Sequence, residues 1–331
     1  MVLVSCGKPS ATQNGSTASA NKDAGTVVVY SGRSEKLVGP IIKQFEEKTG
    51  IKAKVKYAKT PQLAATLLEE GDASPADVFL AQDPGGISAT AELLTPLDPT
   101  IISLVPSWAN DPAGKWVGIS GRARTVVYST KSLSPEQLPS TLAGFTDSKW
   151  KGKIGWAPTN ASFQTMVTAM RKTWGEEKTK SWLLGIQKNN PKVFPKNTPI
   201  VAAVGADEIE VGFVNHYYLY RFLKEDGEDF AARNFFLPGG GPGSLVMASG
   251  AGILKTSKNS SQANAFIRYL LSEDAQTYFA TKTVEFPLAA NVASPKDLPA
   301  IKDIKKPDLA LSDLQDLKGT QSLLRETGIL F

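Results

Sequence analysis

The chain holds one cysteine and one histidine in 331 residues, and those two scarcities remove much chemistry. Cys6 has no partner for an intrachain disulfide, and a zinc site built from Cys and His is excluded. A Ser-His-Asp triad would have to use His216, and no nucleophile elbow accompanies it. No later stretch is long and apolar enough to cross a membrane. The glycine-rich run GGGPGS at 239–244 lacks the lysine and the following helix of a phosphate loop. Basic blocks, zinc patterns and aromatic RNA motifs are missing too. The net charge of +5 therefore gives nucleic acid little support, and it fits a cleft for small anions equally well.

What is present reads as an exported globular protein. Hydrophobic residues make up 41% and charged residues 21%, ordinary values, and the length allows two lobes. The opening Leu3-Val4-Ser5-Cys6 has the shape of a lipoprotein processing site. The Ser/Thr/Asn/Gly-rich stretch that follows predicts a disordered tether over residues 1–25, anchored through lipid on Cys6. The expected location is the periplasm or the cell surface.

After the tail, TVVVYSG predicts a buried strand. SEKLVGPIIKQFEEKTG predicts an amphipathic helix with Leu37, Ile41, Ile42 and Phe45 inward and Gly50 as C-cap. An alternating strand, IKAKVKYA, follows. The next helix is expected to have Thr60 at its cap and Pro61 at its first position, and ADVFLAQ is a second buried strand. Strand-helix-strand-helix-strand implies a parallel sheet, whose ligands sit at the carboxyl ends of its strands, here Ser31–Ser34 and Gln82–Asp83. The strand ARTVVYS is expected to pass between lobes. Arg122 and Arg124 share parity on one strand and so face one side, where guanidinium groups hold oxyanions well.

The stretch around which the rest is organised is VGFVNHYYLYR, Val211–Arg221. It predicts a buried strand to Val214, an N-cap at Asn215 and a helix from His216 onward. At such a turn Tyr217 and Tyr218 can both lean over the sheet edge. A free phenol titrates near ~10. A hard, highly charged cation stabilises its phenolate, and a helix N-terminus adds positive potential in the same direction. A phenolate pair is what ferric iron prefers.

These blocks occur in one order: TVVVYSGRSEKLVGPIIKQFEEKTGI, PADVFLAQD, GRARTVVYS, KWKGKIGWAPTNASF, the Tyr-Tyr helix and PGSLVMASGAGILK. Together they resemble the periplasmic ferric-ion-binding proteins of ABC importers, from Thr26 to the C-terminus. The resemblance implies an α/β type II solute-binding fold, two lobes joined by crossover strands around a cleft. Residues 26–125 with 247–298 would form one lobe and 126–246 with 299–331 the other. It implies no enzyme but a binding component that delivers Fe3+ to an inner-membrane ABC permease, acting as a monomer.

The resemblance also assigns residues. Tyr217 and Tyr218 match the family's phenolate ligands. Many members carry a histidine where this chain has Ser34, and some a tyrosine where it has Glu35, a hard oxygen donor. Others use a glutamate where Gln82 stands before Asp83, or a tyrosine where Phe163 stands. A carbonate or phosphate commonly completes the family's site. Here Arg122, Arg124 and Arg33, the helix start Asn160, Ala161 and Ser162, and the amides of Asn197 and Asn215 are the candidates to hold it. A solute-binding protein of the same fold for a phosphonate, another oxyanion, a polyamine or thiamine is the alternative reading.

Overall fold

A computed structural model describes residues 1–2, 24–289, 292–295 and 298–331, so Cys6 and most of the expected tether lie outside the described residues. The first strands and helices follow the predicted alternation: β1 (Thr26–Ser31), α1 (Glu35–Thr49), β2 (Lys52–Tyr57), α2 (Thr60–Glu70) and β3 (Val78–Ala81). β1 pairs in parallel with β2 on one side and β3 on the other. Along β2 exposed and half-buried residues alternate, as at a sheet edge, whereas β3 is buried throughout. α1 buries Leu37, Val38, Ile41, Ile42 and Phe45, and it ends at Gly50, whose φ of 74° only glycine adopts without strain. The Phe45 ring is fully buried edge-on to Phe266 at 5.1 Å. Burial of such a side chain contributes about 2–3 kcal/mol.

Two predicted helix starts differ from the structure. α2 begins at Thr60 itself after Lys59, because the Thr60 hydroxyl is used elsewhere: it accepts the backbone N–H of Gln82 at 2.9 Å. Asn215 is the last residue of a strand rather than an N-cap, again because its side chain has other partners, described below.

From β3 the chain runs through α3 (Pro84–Ser88), β4 (Leu94–Thr95) and α4 (Pro99–Ile102) into β5 (Val117–Ser129). β5 is 13 residues long, and every one of them is buried. Its first half, to Ala123, pairs antiparallel with β10 (Val246–Leu254), which in turn pairs antiparallel with β3. From Arg124 to Tyr128 it pairs instead with β8 (Val211–Asn215). One strand thus belongs to two sheets and changes partner between Ala123 and Arg124.

The second sheet is assembled from β6 (Ile154–Trp156), β7 (Lys192–Val193), β8 and β9 (Ala232–Phe235), with α5 (Ala161–Trp174), α6 (Glu176–Lys188), α7 (Asn197–Gly205) and α8 (Tyr217–Asp226) between them. β8 and β6 are parallel, and β9 lies antiparallel on β5. Phe145, Trp150, Trp182 and Phe213 pack ring on ring beneath this sheet. β10, α9 (Ser260–Leu270), α10 (Glu273–Lys282) and β11 (Phe286–Pro287) return the chain to the first sheet, where β11 pairs with Gly121 and Ser120 of β5. A last helix that the hydrophobic pattern did not single out, α11 (Leu317–Glu326), brings Leu323 and Leu324 onto the second core.

Candidate functional site

The ends of β1, β3 and β8, the middle of β5 and the starts of α5, α7 and α8 meet in the interior. Three arginines are there, and none is more than 1% exposed. Burying a guanidinium costs several kcal/mol unless charge or hydrogen bonds compensate, so each partner matters.

Arg33, just past β1, is compensated. Its Nη1 donates to Glu285 Oε2 at 2.8 Å and its Nη2 to Oε1 at 2.5 Å, and Nη1 also donates to Ser120 Oγ at 3.0 Å. Burial by itself lowers the Arg33 pKa, but Glu285 outweighs it and holds the guanidinium charged. The same pairing keeps the buried Glu285 below the usual carboxylate range, against burial that pushes it up. Only Arg33 Nε makes no hydrogen bond among the described residues.

Arg124 is half compensated. Its Nη1 donates to Asn215 Oδ1 at 3.1 Å and reaches Asn197 Oδ1 at 3.5 Å, while Nε and Nη2 make no hydrogen bond among the described residues. Arg122 has no such bond among the described residues: its Nε, Nη1 and Nη2 are all buried without one. Burial pulls both pKa values down, that of Arg124 to about 9. For Arg122 the neighbouring Arg33 adds to the fall, and Tyr217, Glu285 and Asp83 oppose it. Five guanidinium nitrogens on one strand are therefore left for an oxyanion, which alternation along β5 brings to the same side.

The tyrosines stand against these arginines. α8 starts at Tyr217, and the two rings lie 4.3 Å apart at 30°. Tyr217 is fully buried, and its hydroxyl makes no hydrogen bond among the described residues. Tyr218 is 7% exposed. Burial first, and then Tyr217, push its phenol well above the usual value, while Arg33 and Arg122 work against that rise. Without a cation this phenol stays protonated.

The asparagines and the α5 start are placed close by, though not all as donors to a ligand. Asn215 spends Oδ1 on Arg124 and Nδ2 on Ser162 Oγ at 3.0 Å, and its N–H goes to Asn197 Oδ1 at 2.9 Å. Both asparagines thus hold Arg124. Asn160 caps α5, its Oδ1 accepting the Ser162 N–H at 3.1 Å. Ala161 follows it, buried, as the first residue of that helix.

Gln82 and Asp83 reach across from the end of β3. Gln82 Nε2 donates to Ser162 Oγ at 2.8 Å, and Asp83 Oδ1 accepts from Thr165 Oγ1 at 2.8 Å and from the Gly86 N–H. Asp83 Oδ2 is buried without a hydrogen bond among the described residues; burial raises this carboxyl's pKa, and Arg122 opposes the rise. Phe163 is core, edge-on to Trp156 at 5.6 Å. Glu35 is the exception: it is exposed on the first turn of α1, beside Tyr57 rather than among the arginines. Among the described residues no group of three or more His, Cys, Asp or Glu could hold a metal, so a cation here would rest on phenolic and ligand oxygens.

Two residues of the site were not singled out in the sequence. Glu285 had one local signal, a carboxylate between the apolar residues Val284 and Phe286. His216, in the sequence a poor triad base, is the other. It is in fact fully buried, and burial pushes its pKa down to about 4, so the ring is neutral.

The chain belongs to the family of bacterial extracellular solute-binding proteins, whose family profile matches residues 40–306. Its fold is the type II solute-binding fold, two α/β lobes about a cleft, and members of the family bind solutes rather than transform them. The major ferric iron-binding protein of Neisseria meningitidis serogroup B is 34% identical over 308 residues, 92% of this chain and 93% of that protein. The crystal structure of iron-bound HitA from Pseudomonas aeruginosa is 32% identical, with a TM-score of 0.87 over 92% of this chain and 99% of that one. A Trichodesmium protein, IdiA (FutA), solved with iron and citrate ligands, is 26% identical with a TM-score of 0.76, over 92% and 99% of the two chains.

Proposed function

We propose that this protein is the substrate-binding component of an iron(III) ABC importer, which takes up ferric ion between its lobes and delivers it to an inner-membrane permease. The observation that carries this reading is the buried pair Tyr217–Tyr218, with one hydroxyl unpartnered, set against arginines whose donors are unspent. The similar proteins from Neisseria and Pseudomonas, named for ferric iron or solved with iron, support it.

The charges favour an anion beside the metal. Two phenolates cancel two of the three charges of ferric ion, and a carbonate takes the cluster one charge negative. Arg124 then restores neutrality, while Arg33 is matched by Glu285 and Arg122 faces Asp83. A buried site that closes its own charge avoids the cost of an unpaired ion. Carbonate or phosphate, held by Arg124 and Arg122 with the Asn160–Ser162 turn, is the proposed anion, and citrate in the Trichodesmium structure is a precedent for one. Water fills the remaining positions, since Glu35 is exposed beside Tyr57, away from the arginines. Asn197 and Asn215 hold Arg124 in place, and Arg33 contributes Nε. The protein works as a monomer in the periplasm or at the cell surface, tethered through lipidated Cys6, without nucleic acid.

The test is a visible spectrum of purified protein with ferric citrate and bicarbonate. A red to orange phenolate-to-iron band that needs the anion is expected. The unspent arginine donors by themselves also fit a plain oxyanion or phosphonate carrier, in which the tyrosines only hydrogen-bond the ligand. Tight anion binding without colour would establish that reading instead.

A further inference from the structure

His216 has every polar atom committed. Its backbone N–H donates to the carbonyl of Ala123 at 3.1 Å, and its carbonyl accepts from Asn234 Nδ2 at 2.8 Å. Its ring Nδ1 accepts the Ala123 N–H at 3.1 Å, which assigns the proton to Nε2, and Nε2 donates to the Val284 carbonyl at 2.8 Å. The ring lies edge-on to Tyr217 at 5.7 Å and against Phe286 at 5.1 Å.

The places it ties together are not ordinary ones. Ala123 is the residue at which β5 changes from the first sheet to the second. Val284 has φ 54°, a left-handed conformation that a β-branched residue avoids. That turn aims the Val284 carbonyl at the imidazole, and the next residue, Glu285, carries the ion pair to Arg33. Meanwhile no hydrogen bond among the described residues fixes the Tyr217 hydroxyl, so ring packing and the backbone before it set its position.

We infer that His216 is the positioning residue of the tyrosine pair, pinning the start of α8 to the crossover strand and to the Val284–Glu285 turn. The inference rests on the proposed iron site. With this pin, Tyr217 keeps its place relative to Arg122 and Arg33 while the rest of the second lobe moves, so half of the ligand set is assembled before closure. A core histidine with no such role would affect stability alone.

The experiment compares His216→Gln, His216→Asn and His216→Phe with the wild type for thermal unfolding, position of the charge-transfer band and rate of iron release to a chelator. Gln can still donate where Nε2 meets Val284, and Asn can still accept where Nδ1 meets Ala123. The expected result is a displaced band and at least tenfold faster release for Phe and Asn, with Gln within about threefold of wild type. Val284→Gly keeps the carbonyl but frees its backbone. It is expected to move the band in the same direction, and it serves should a His216 variant fail to fold. An unmoved band with release that follows only the loss of thermal stability, in all four variants, overturns the pin. A wild-type protein that binds ferric ion without the band overturns the iron site, and this role with it.

Discussion

Single hydroxyl and guanidinium groups carry the proposed binding, so they can be removed one at a time. Tyr217→Phe and Tyr218→Phe each delete one oxygen from a packed ring, so fold and melting temperature are expected to stay close to wild type. Most iron affinity and colour should vanish; wild-type loading in both variants would refute the site. Arg124→Ala should weaken loading more than Glu35→Gln, since Arg124 is buried with two unspent nitrogens and Glu35 faces solvent. Measuring loading with and without bicarbonate checks this, and the reverse ranking would make Glu35 a true ligand.

The single histidine has its own signature in the metal-free protein. A folded pKa near 4 against about 6.5 unfolded means that the unfolded chain takes up the proton first as pH falls. The stability this group contributes is therefore full above about pH 6.5 and is lost progressively down to about 4, roughly 3 kcal/mol in all. Asp83, whose pKa burial raises, works in the opposite direction, so wild type alone does not isolate the effect. Urea unfolding at pH 7 and pH 5 is expected to show a smaller loss in His216→Gln than in wild type. Equal losses would mean that the ring is not held neutral.

Among the elements, the β3–α3 corner and the start of α5 form the contact that keeps the lobes together. Gln82 meets Ser162, Asp83 meets Thr165, and at the rim Lys59 Nζ donates to Thr159 Oγ1 at 3.4 Å. All three cross from the first sheet's elements to the second's. Thr165→Val keeps the shape and removes one donor to a buried carboxylate, at a cost of about 1–3 kcal/mol. On the proposed closure this contact forms as the lobes shut, so iron release is expected to speed up about tenfold or more with little change in the initial colour. A release rate equal to wild type would show that the contact does not hold closure.

For the whole molecule, burial of Tyr217 and all three arginines means that an ion reaches them only when the lobes part. The chain segments that pass between the two sheets, β5 near Arg124–Tyr128 and the approach to β10 at Gly243–Met247, are where the bending is expected. Small-angle scattering should give a smaller radius of gyration with ferric ion and bicarbonate than without. An unchanged radius would mean that this protein does not close on its ligand.

The sequence by itself determined the alternating first lobe, the buried strands, the Gly50 cap and the tyrosine pair at a strand-to-helix turn. Each depends on residues within a few positions of one another: apolar period, turn glycines, adjacent aromatics. It also placed Arg122 and Arg124 on one side of a strand, since alternation is local. Only the tertiary structure decided how the arginines differ. Arg33 is neutralised by Glu285, which lies 252 residues away along the chain, while Arg122 makes no hydrogen bond among the described residues. The misplaced caps have the same origin: Thr60 and Asn215 are good cap residues locally, yet their side chains bond Gln82, Arg124 and Ser162 from other elements. Asn215 goes to the buried charge of Arg124 and Thr60 to the buried backbone N–H of Gln82, because an unpaired charge or amide in the interior costs more than an uncapped helix end that water can reach.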